Sequence, residues 1–324
     1  MTNILITGGG GFIGQKLSQA LCRAGSIAGN PISGLTLVDI VAPKIPQSEF
    51  AVAALTADIS HPATCPALFE TPFDVIFHLA AVVSGAAEAD FDLGMRVNIF
   101  GTLNLLEAAR AAGNAPIVIY ASSVAVHGGE EPRIVPDGVE LNPQTSYGCQ
   151  KAVGELLLND MSRKGYIDGR GLRLPTVSIR PGRANAAASS FMSGIFREPL
   201  QGEKSNCPVG PDFAIWHTAP RTIIANLMHA ATVPAAQFGY NRCLNLPGRT
   251  DTVAEMIAAM TQVVGPEPER LITWERDPVI EPIVNGWRNH FRPEKAIRLG
   301  FQADRSFADS VRWFMEDDHR DKPA

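Results

Sequence analysis

Tyr147 and Lys151 stand four residues apart in a stretch with helical spacing, so both side chains leave one face of a helix and can share one ligand. The chemistry such a pair offers is proton transfer. A phenol with an ordinary pKa near 10 is a poor base at neutral pH. An adjacent ammonium, or a positive charge brought by a ligand, favours the phenolate and lowers that value. Tyr-x-x-x-Lys pairs recur by chance in many chains, so the weight lies in what precedes this one. The run Ile117-Val118-Ile119-Tyr120 leads straight into Ala121-Ser122-Ser123, and a hydroxyl at the end of such a strand can orient a substrate alcohol. Adjacent serines also serve as plain strand-end caps; the downstream pair is what gives Ser122 and Ser123 a second meaning.

A second set of residues suits a dinucleotide. Thr7-Gly8-Gly9-Gly10-Gly11-Phe12-Ile13-Gly14 follows the apolar run Asn3 to Ile6 and opens a helical stretch, which places glycines at 8, 11 and 14. Gly8 permits a tight turn, Gly11 lets a pyrophosphate approach the backbone, and Gly14 lets helix and strand pack closely. The helix N-terminus at Phe12 and Ile13 supplies N–H donors and a positive dipole end. Asp39 ends the next apolar run, where a carboxylate accepts ribose hydroxyls and repels a 2′-phosphate, so NAD is expected rather than NADP. The interval from Gly14 to Asp39 exceeds the usual spacing of about 20 residues, and the loop Gly25 to Pro31 is expected to hold the excess.

The elements that must position these groups follow a regular alternation from residue 1 to about 180. Apolar runs at Asn3 to Ile6, Leu35 to Val38, Asp74 to Leu79, Pro116 to Ala121 and Leu172 to Ile179, with a weaker one at Ala51 to Leu55, read as strands buried on both faces. Helical periodicity appears at Phe12 to Ala24, Phe91 to Ala112 and Tyr147 to Lys164, the last two stopping near Gly113 and Gly165. Such alternation predicts an α/β chain: a Rossmann-type doubly wound parallel sheet over residues 1–180, with the Ser, Tyr and Lys at its carboxyl edge. Beyond residue 180 loops rich in Pro and Gly, with helices near Ala188 to Arg197, Pro220 to Ala231, Thr252 to Val263 and Ser306 to Met315, predict a smaller mixed substrate lobe over 181–324.

Composition narrows the classes of function. With 324 residues, 45 % of them hydrophobic and 19 % charged, the chain reads as ordinary globular protein. A net charge of −5 without a Lys/Arg run excludes attraction for a nucleic-acid backbone. No stretch nears the roughly 18 uninterrupted apolar residues of a membrane span, and no leader is legible before Ile4, so a cytoplasmic location is expected. The five cysteines are scattered without metal-ligand spacing, which favours free thiols and no metal site.

Taken in order, Thr-Gly-x-x-Gly-x-x-Gly, His78-Leu79-Ala80-Ala81, Asn98 before Gly101-Thr102, Ser122-Ser123-x-x-Val126-His127-Gly128 and Tyr147-x-x-x-Lys151 resemble the extended short-chain dehydrogenases/reductases over nearly the whole chain. The resemblance implies that Ser123 holds the substrate hydroxyl, Tyr147 takes its proton, Lys151 binds the nicotinamide ribose and Asn98 supports a water relay to Lys151. It further implies that Asp58 and Ile59 edge the adenine, that Leu79, Ala80 and Ala81 line the dinucleotide, and that Leu174, Pro175 and Thr176 pass close to the nicotinamide, while His78 is structural. A homodimer through the helices around 91–112 and 147–164 is the family's default.

One departure narrows the substrate. Sugar-nucleotide members carry Tyr where this chain has His127, and an Arg-Asp-aromatic stretch leading to paired acids where it has Phe213 to Arg221. Arg180-Pro181-Gly182-Arg183-Ala184-Asn185, with Arg197-Glu198-Pro199-Leu200 and Trp216-His217-Thr218, is instead similar to a subgroup that oxidises the C2 hydroxyl of a four-carbon sugar acid to the 2-keto acid. Asn185 and Trp216 then belong with the substrate. A carboxylate calls for a guanidinium fork, for which Arg183 and Arg221 compete. Nucleotide-sugar epimerase or dehydratase chemistry, and oxidation of a uronate or of threonine, stay open as alternatives.

Overall fold

The computed structural model describes residues 1–130, 132–182, 188–278 and 280–319. Its first strand, β1 (Thr2–Thr7), owes its place to Ile4, Leu5 and Ile6, all fully buried because helices or neighbouring strands cover both faces of the sheet. The glycine loop follows, then helix α1 (Phe12–Ala24), which stops at Gly25 in the left-handed conformation at φ 62°. Strand β2 (Asn30–Asp39) begins five residues before the expected run, because Ser26–Ile27 folds back on Asn30 and Pro31 as a tight antiparallel hairpin. That hairpin accounts for the long interval between Gly14 and Asp39.

Strands β3 (Ala51–Thr56), β4 (Val75–His78) and β5 (Ile117–Ser123) complete the parallel part, with β1 between β2 and β4. Beyond β5 lie β6 (Asp168–Leu174) and β7 (Cys243–Asn245), so the sheet runs β3-β2-β1-β4-β5-β6-β7. The first six follow the order of a doubly wound dinucleotide-binding sheet, which reverses direction between β1 and β4. Register aligns their carboxyl ends: Thr7 pairs with Val38 and His78, and His78 with Tyr120. The glycine loop, Asp39, residues 79–83 and Ser123 therefore emerge on one edge.

Two elements differ from their sequence patterns. The expected strand Leu172 to Ile179 is displaced to Asp168–Leu174, because β6 carries buried Arg170 and Arg173 paired with Asp168 and Glu155, and charged residues hid it from an apolar pattern. After Pro175 the chain resumes at Thr176–Val177 in a separate three-stranded sheet with Ala214–Thr218 and Arg249–Thr252. The run Phe91 to Ala112 is helical throughout, but its middle, Met95–Gly101, is a π-helix, flanked by Phe91–Gly94 and by helix α2 (Thr102–Ala112). Helix α3 (Ser146–Arg163) starts where Thr145 Oγ1 accepts the Gly148 N–H at 3.1 Å.

The chain gathers into two compact units that interleave in sequence. The first comprises Met1–Val126, Pro143–Arg173 and Ile224–Leu244; it holds the parallel sheet and a core around Leu5, Ile76, Leu105, Val118 and Leu158. The second comprises His127–Asn142, Leu174–Ile223 and Asn245–Ala324. Its core joins Met192, Ile195 and Phe196 of helix Phe191–Leu200 to Met256 of helix Val253–Val264 and Phe314 of helix Phe307–Asp317. Among the described residues no helix is long and apolar enough to cross a membrane, and no cluster of metal-binding side chains occurs.

Candidate active site

The glycine loop is shaped by contacts that leave no room for side chains. Gly8 has φ +76°, and a Cβ there would lie 2.7 Å from the Ala80 nitrogen; one on Gly14 would lie 2.2 Å from the Gly8 carbonyl oxygen. Gly11 is open apart from the Gly8 oxygen, 3.3 Å from such a Cβ, so the turn presents bare backbone just ahead of Phe12 and Ile13. Asp39 fixes the loop from the side: its Oδ2 accepts the Gly10 N–H at 3.0 Å and its Oδ1 the Val41 N–H at 3.1 Å. A glycine cradle at a helix N-terminus with a carboxylate beside it fits the pyrophosphate and adenosine ribose of NAD. Leu79 and Ala80 sit against this cradle, donating their N–H groups to the Thr7 carbonyl at 3.1 Å and the Thr7 hydroxyl at 3.4 Å; Ala81 follows them. Asp58 is exposed and accepts the Ser60 N–H at 2.8 Å, whereas the Ile59 side chain is in the core and its carbonyl accepts an Asn104 Nδ2–H at 3.1 Å.

His78 is structural, as its neighbours show. It bridges the hydroxyls of Thr7 at 2.7 Å and Thr102 at 2.8 Å, and burial, with the Lys151 charge assisting, takes its pKa down to about 3. It stays neutral and ties β1 to α2 through β4.

Ser123, Tyr147 and Lys151 meet at the end of β5. Gly148 lets α3 approach that strand: a Cβ there would fall 2.1 Å from the Ala125 carbonyl oxygen. The Ser123 hydroxyl lies near enough to the Tyr147 phenol to lower its pKa by hydrogen bonding, and its Oγ accepts the Ala125 N–H at 3.1 Å. Lys151 is 2 % exposed, donates Nζ–H to the Ala121 carbonyl at 2.8 Å, and lies 4.8 Å from the Tyr120 ring centre and 5.8 Å from that of Tyr147. Burial dominates both groups. It pushes the Tyr147 phenol up to about 12, against the Ser123 hydrogen bond, and brings Lys151 down to about 7, against the charge of Glu155. The expected lowering of the Tyr147 pKa by the ammonium is thus not found: burial raises it, and the influence that opposes burial is Ser123.

Asn98 lies in the π-helical segment, where one turn is widened. Its carboxamide accepts the Val82 N–H at 2.8 Å and donates to the Val82 carbonyl at 3.1 Å and to Gln150 Oε1 at 2.7 Å. These bonds hold the loop after β4 against α3. Gln150, between Tyr147 and Lys151, was not singled out from sequence, although its position on the same helix could have drawn attention.

The expected substrate residues divide. Ser122 is turned to the opposite face from Ser123, as successive strand residues must be, and donates to buried Glu155 at 2.6 Å, which corrects its assignment to the substrate. Arg221 is likewise corrected. Its guanidinium pairs with Asp317 at 2.6 Å and Glu316 at 2.8 Å and stacks on Trp313, so its charge is already matched. Trp216 is buried against Phe291, with ring centres 5.3 Å apart, and its Nε1 has no hydrogen-bond partner among the described residues. Thr176 is half-buried and pairs with His217 across strands, while Leu174 ends β6 and Pro175 follows it. Arg183 and Asn185 lie outside the described residues. Arg180, which the sequence reading did not select, is held by Ser193, with Nε 3.4 Å from its Oγ; burial and the nearby Arg197 charge both lower its pKa.

A parallel sheet in this strand order, a glycine cradle with a terminal acid, and a Ser-Tyr-Lys set at the carboxyl edge define a dinucleotide-dependent oxidoreductase type of fold. Residues 4–220 match the NAD dependent epimerase/dehydratase family, and the chain belongs to that family. Among characterised relatives, the D-erythronate dehydrogenase of Cupriavidus necator is 49 % identical over 97 % of this chain and 98 % of its own length. That of Haemophilus influenzae is 41 % identical over 97 % of this chain and 99 % of its own. The crystal structure of a protein called the nucleoside-diphosphate-sugar epimerase from Agrobacterium tumefaciens is 44 % identical, with a TM-score of 0.94 over 98 % of this chain and 94 % of that one.

Proposed function

We propose that this chain oxidises the C2 hydroxyl of D-erythronate to 2-dehydro-D-erythronate with NAD. One arrangement carries the reaction: the Tyr147 phenol lies beside Ser123, with Lys151 one helical turn further on, 5.8 Å from the Tyr147 ring centre. The acid is the one named for the two dehydrogenases that are 49 % and 41 % identical over nearly their full lengths.

Bound NAD supplies a hydride acceptor and a positive charge. Gly8, Gly11, Gly14, Phe12 and Ile13 would hold its pyrophosphate, Asp39 its adenosine ribose, and Asp58, Ile59, Leu79, Ala80, Ala81, Leu174 and Pro175 its remaining flanks. Lys151 would hold the nicotinamide ribose. Ser123 receives the C2 hydroxyl and orients it; Tyr147 accepts its proton; Lys151, as the ammonium, favours the phenolate that does so. Thr176, Asn185 and Trp216 are assigned to the sugar acid, and Arg183 or Arg180 to its carboxylate, since a guanidinium fork matches two oxygens. On this reading residues 1–180 carry NAD and the chemical groups, residues 181–324 recognise the acid, and the enzyme works in the cytoplasm as a homodimer through the helices around 91–112 and 147–164.

The second reading, transient oxidation within a nucleotide sugar, is favoured by the Agrobacterium tumefaciens protein, which is 44 % identical and is called an epimerase of nucleoside-diphosphate sugars. Against it stands the absence of paired acids over Phe213 to Arg221. The two differ in what accumulates. Purified protein given NAD and a panel of hydroxy acids, uronates, threonine and nucleotide sugars should release NADH with D-erythronate; a nucleotide sugar converted without net NADH would replace this reading with the second.

A further inference from the structure

Behind the Tyr147–Lys151 pair lies a buried polar cluster that the mechanism above does not use. Glu155 follows Lys151 by one more helical turn and shares its face. Its Oε1 accepts the Ser122 hydroxyl at 2.6 Å and Arg173 Nε–H at 2.9 Å, and its Oε2 accepts a second Arg173 N–H at 2.7 Å. Ser122, Glu155 and Arg173 are 2 %, 1 % and 5 % exposed. An ion pair this deep loses the hydration of both charges, and apolar residues of similar volume often fasten a helix to a sheet as well. Its place in the structure suggests another use. Ser122 sits between Ala121, whose carbonyl accepts Lys151 Nζ–H at 2.8 Å, and Ser123, which neighbours the Tyr147 phenol and lowers its pKa. Whatever holds Ser122 thereby holds the strand end that both members of the pair rely on.

The groups surrounding the ammonium leave the electrostatic part to one residue. His78 on β4, Tyr120 on β5, Tyr147 and Glu155 on α3, and Arg173 on β6 are the titratable and charged neighbours. His78 is neutral because burial lowers its pKa to about 3, and burial raises the Tyr120 and Tyr147 phenols so that they too are neutral near pH 7. Arg173 is engaged with the Glu155 carboxylate. Glu155 is the neighbour whose charge opposes the effect of burial on Lys151.

We propose that Glu155 is a positioning residue for proton transfer: its carboxylate, held by Arg173, keeps Lys151 in the ammonium form and, through Ser122, fixes the strand end that presents Ser123. This rests on the reading of Tyr147 and Lys151 as the reacting pair, but its central quantity, the charge state of Lys151, is measurable without turnover. The chain has seven lysines, so the Lys151 signal in protein labelled with NMR-active lysine can be assigned by its loss in Lys151→Met and titrated with pH.

The parent is expected to titrate at about 7. Glu155→Gln removes a negative charge, which disfavours the ammonium, so its midpoint should fall by about one unit, roughly a tenfold loss of ammonium above that pH. Because that variant strands the Arg173 charge, Glu155→Gln/Arg173→Met removes both and should also titrate lower. Glu155→Asp, which draws the carboxylate back by one methylene, should fall by less. The alkaline decline of kcat should move down in pH with the midpoint, while KM for the acid changes little. An unmoved midpoint in any of these variants that folds, with only a lower melting temperature, would reduce Glu155 to a fastener. A lowered midpoint in protein that does not oxidise D-erythronate would uphold the inference and remove the assigned reaction.

Discussion

Asp39 accepts the backbone N–H of Gly10 at 3.0 Å, so the acid that ends β2 also braces the middle of the glycine loop. Recognition of the ribose and the shape of the pyrophosphate cradle are thus joined in one carboxylate. Asp39→Ala should weaken NAD about tenfold or more and narrow the preference over NADP, as both an acceptor and the charge that repels a 2′-phosphate are lost. Asp39→Asn keeps an acceptor for Gly10 and removes only the charge, so NADP should gain while NAD changes less. Dissociation constants for both dinucleotides check this; an unaltered NAD/NADP ratio in both variants would place the ribose away from Asp39.

Tyr147→Phe keeps the ring and removes the proton acceptor. Turnover of D-erythronate should fall by about a hundred- to ten-thousand-fold, with the NAD dissociation constant within a few fold of the parent. A loss of less than tenfold would remove Tyr147 from the chemistry.

Ser123→Ala tests the tuning of that phenol. Burial raises Tyr147 to about 12, and the Ser123 hydrogen bond pulls the other way. Removing the hydroxyl raises the pKa further, so less phenolate exists at any given pH and the rising limb of the kcat profile should shift to higher pH. If kcat falls with no change in the shape of the profile, Ser123 orients the substrate without tuning the base.

Arg221 and Arg183 are separated by a pair of substitutions. Arg221→Ala should leave kcat/KM for the sugar acid within about threefold of the parent, because its guanidinium is already matched by Asp317 and Glu316, and an exposed pair of this kind contributes about 1 kcal/mol or less. Arg183→Ala should raise KM for the acid with NAD binding spared; if it does not, Arg180→Ala is the next substitution to measure. No effect from either would reopen the choice of a neutral substrate.

Asp251 makes acid stability a test of the second unit. Burial alone would raise its pKa, but hydrogen bonds from His217 at 2.9 Å and Arg249 at 2.8 Å bring it from 3.8 to about 2. A carboxyl whose folded pKa is depressed contributes stability that is present above about pH 4 and is lost as pH falls toward 2. Asp251→Asn should therefore cost about 2 kcal/mol near pH 7, with the difference from the parent closing between about pH 4 and 2. A constant gap across that range, measured by urea unfolding, would show that the effect is packing rather than charge.

The glycine loop, Asp39 and the Tyr147–Lys151 pair were legible because local spacing alone constrains them: a tight turn needs glycine at set positions, and four helical residues make one face. Strand β6 was misplaced by four residues because its Arg170 and Arg173 are buried only by virtue of distant acids, which no local pattern reveals. The same blindness hid the role of Ser122. Its neighbour Ser123 looks identical in sequence, and only the pleat of β5 and the arrival of Glu155 from α3 give one serine to the interior and the other to Tyr147.

By itself, then, the sequence determined the α/β alternation, the nucleotide end, the order of the motifs and the family, all of which depend on residues near one another along the chain or on motifs in a recognisable order. Tertiary structure alone decided which charges are available. Arg221 met Asp317 across 96 residues, Ser122 met Glu155 across 33 and Asn98 met Gln150 across 52. Whether an ionisable or polar group can serve a ligand depends on the partners that folding brings to it and on the water that folding removes, and neither is a property of its place in the sequence.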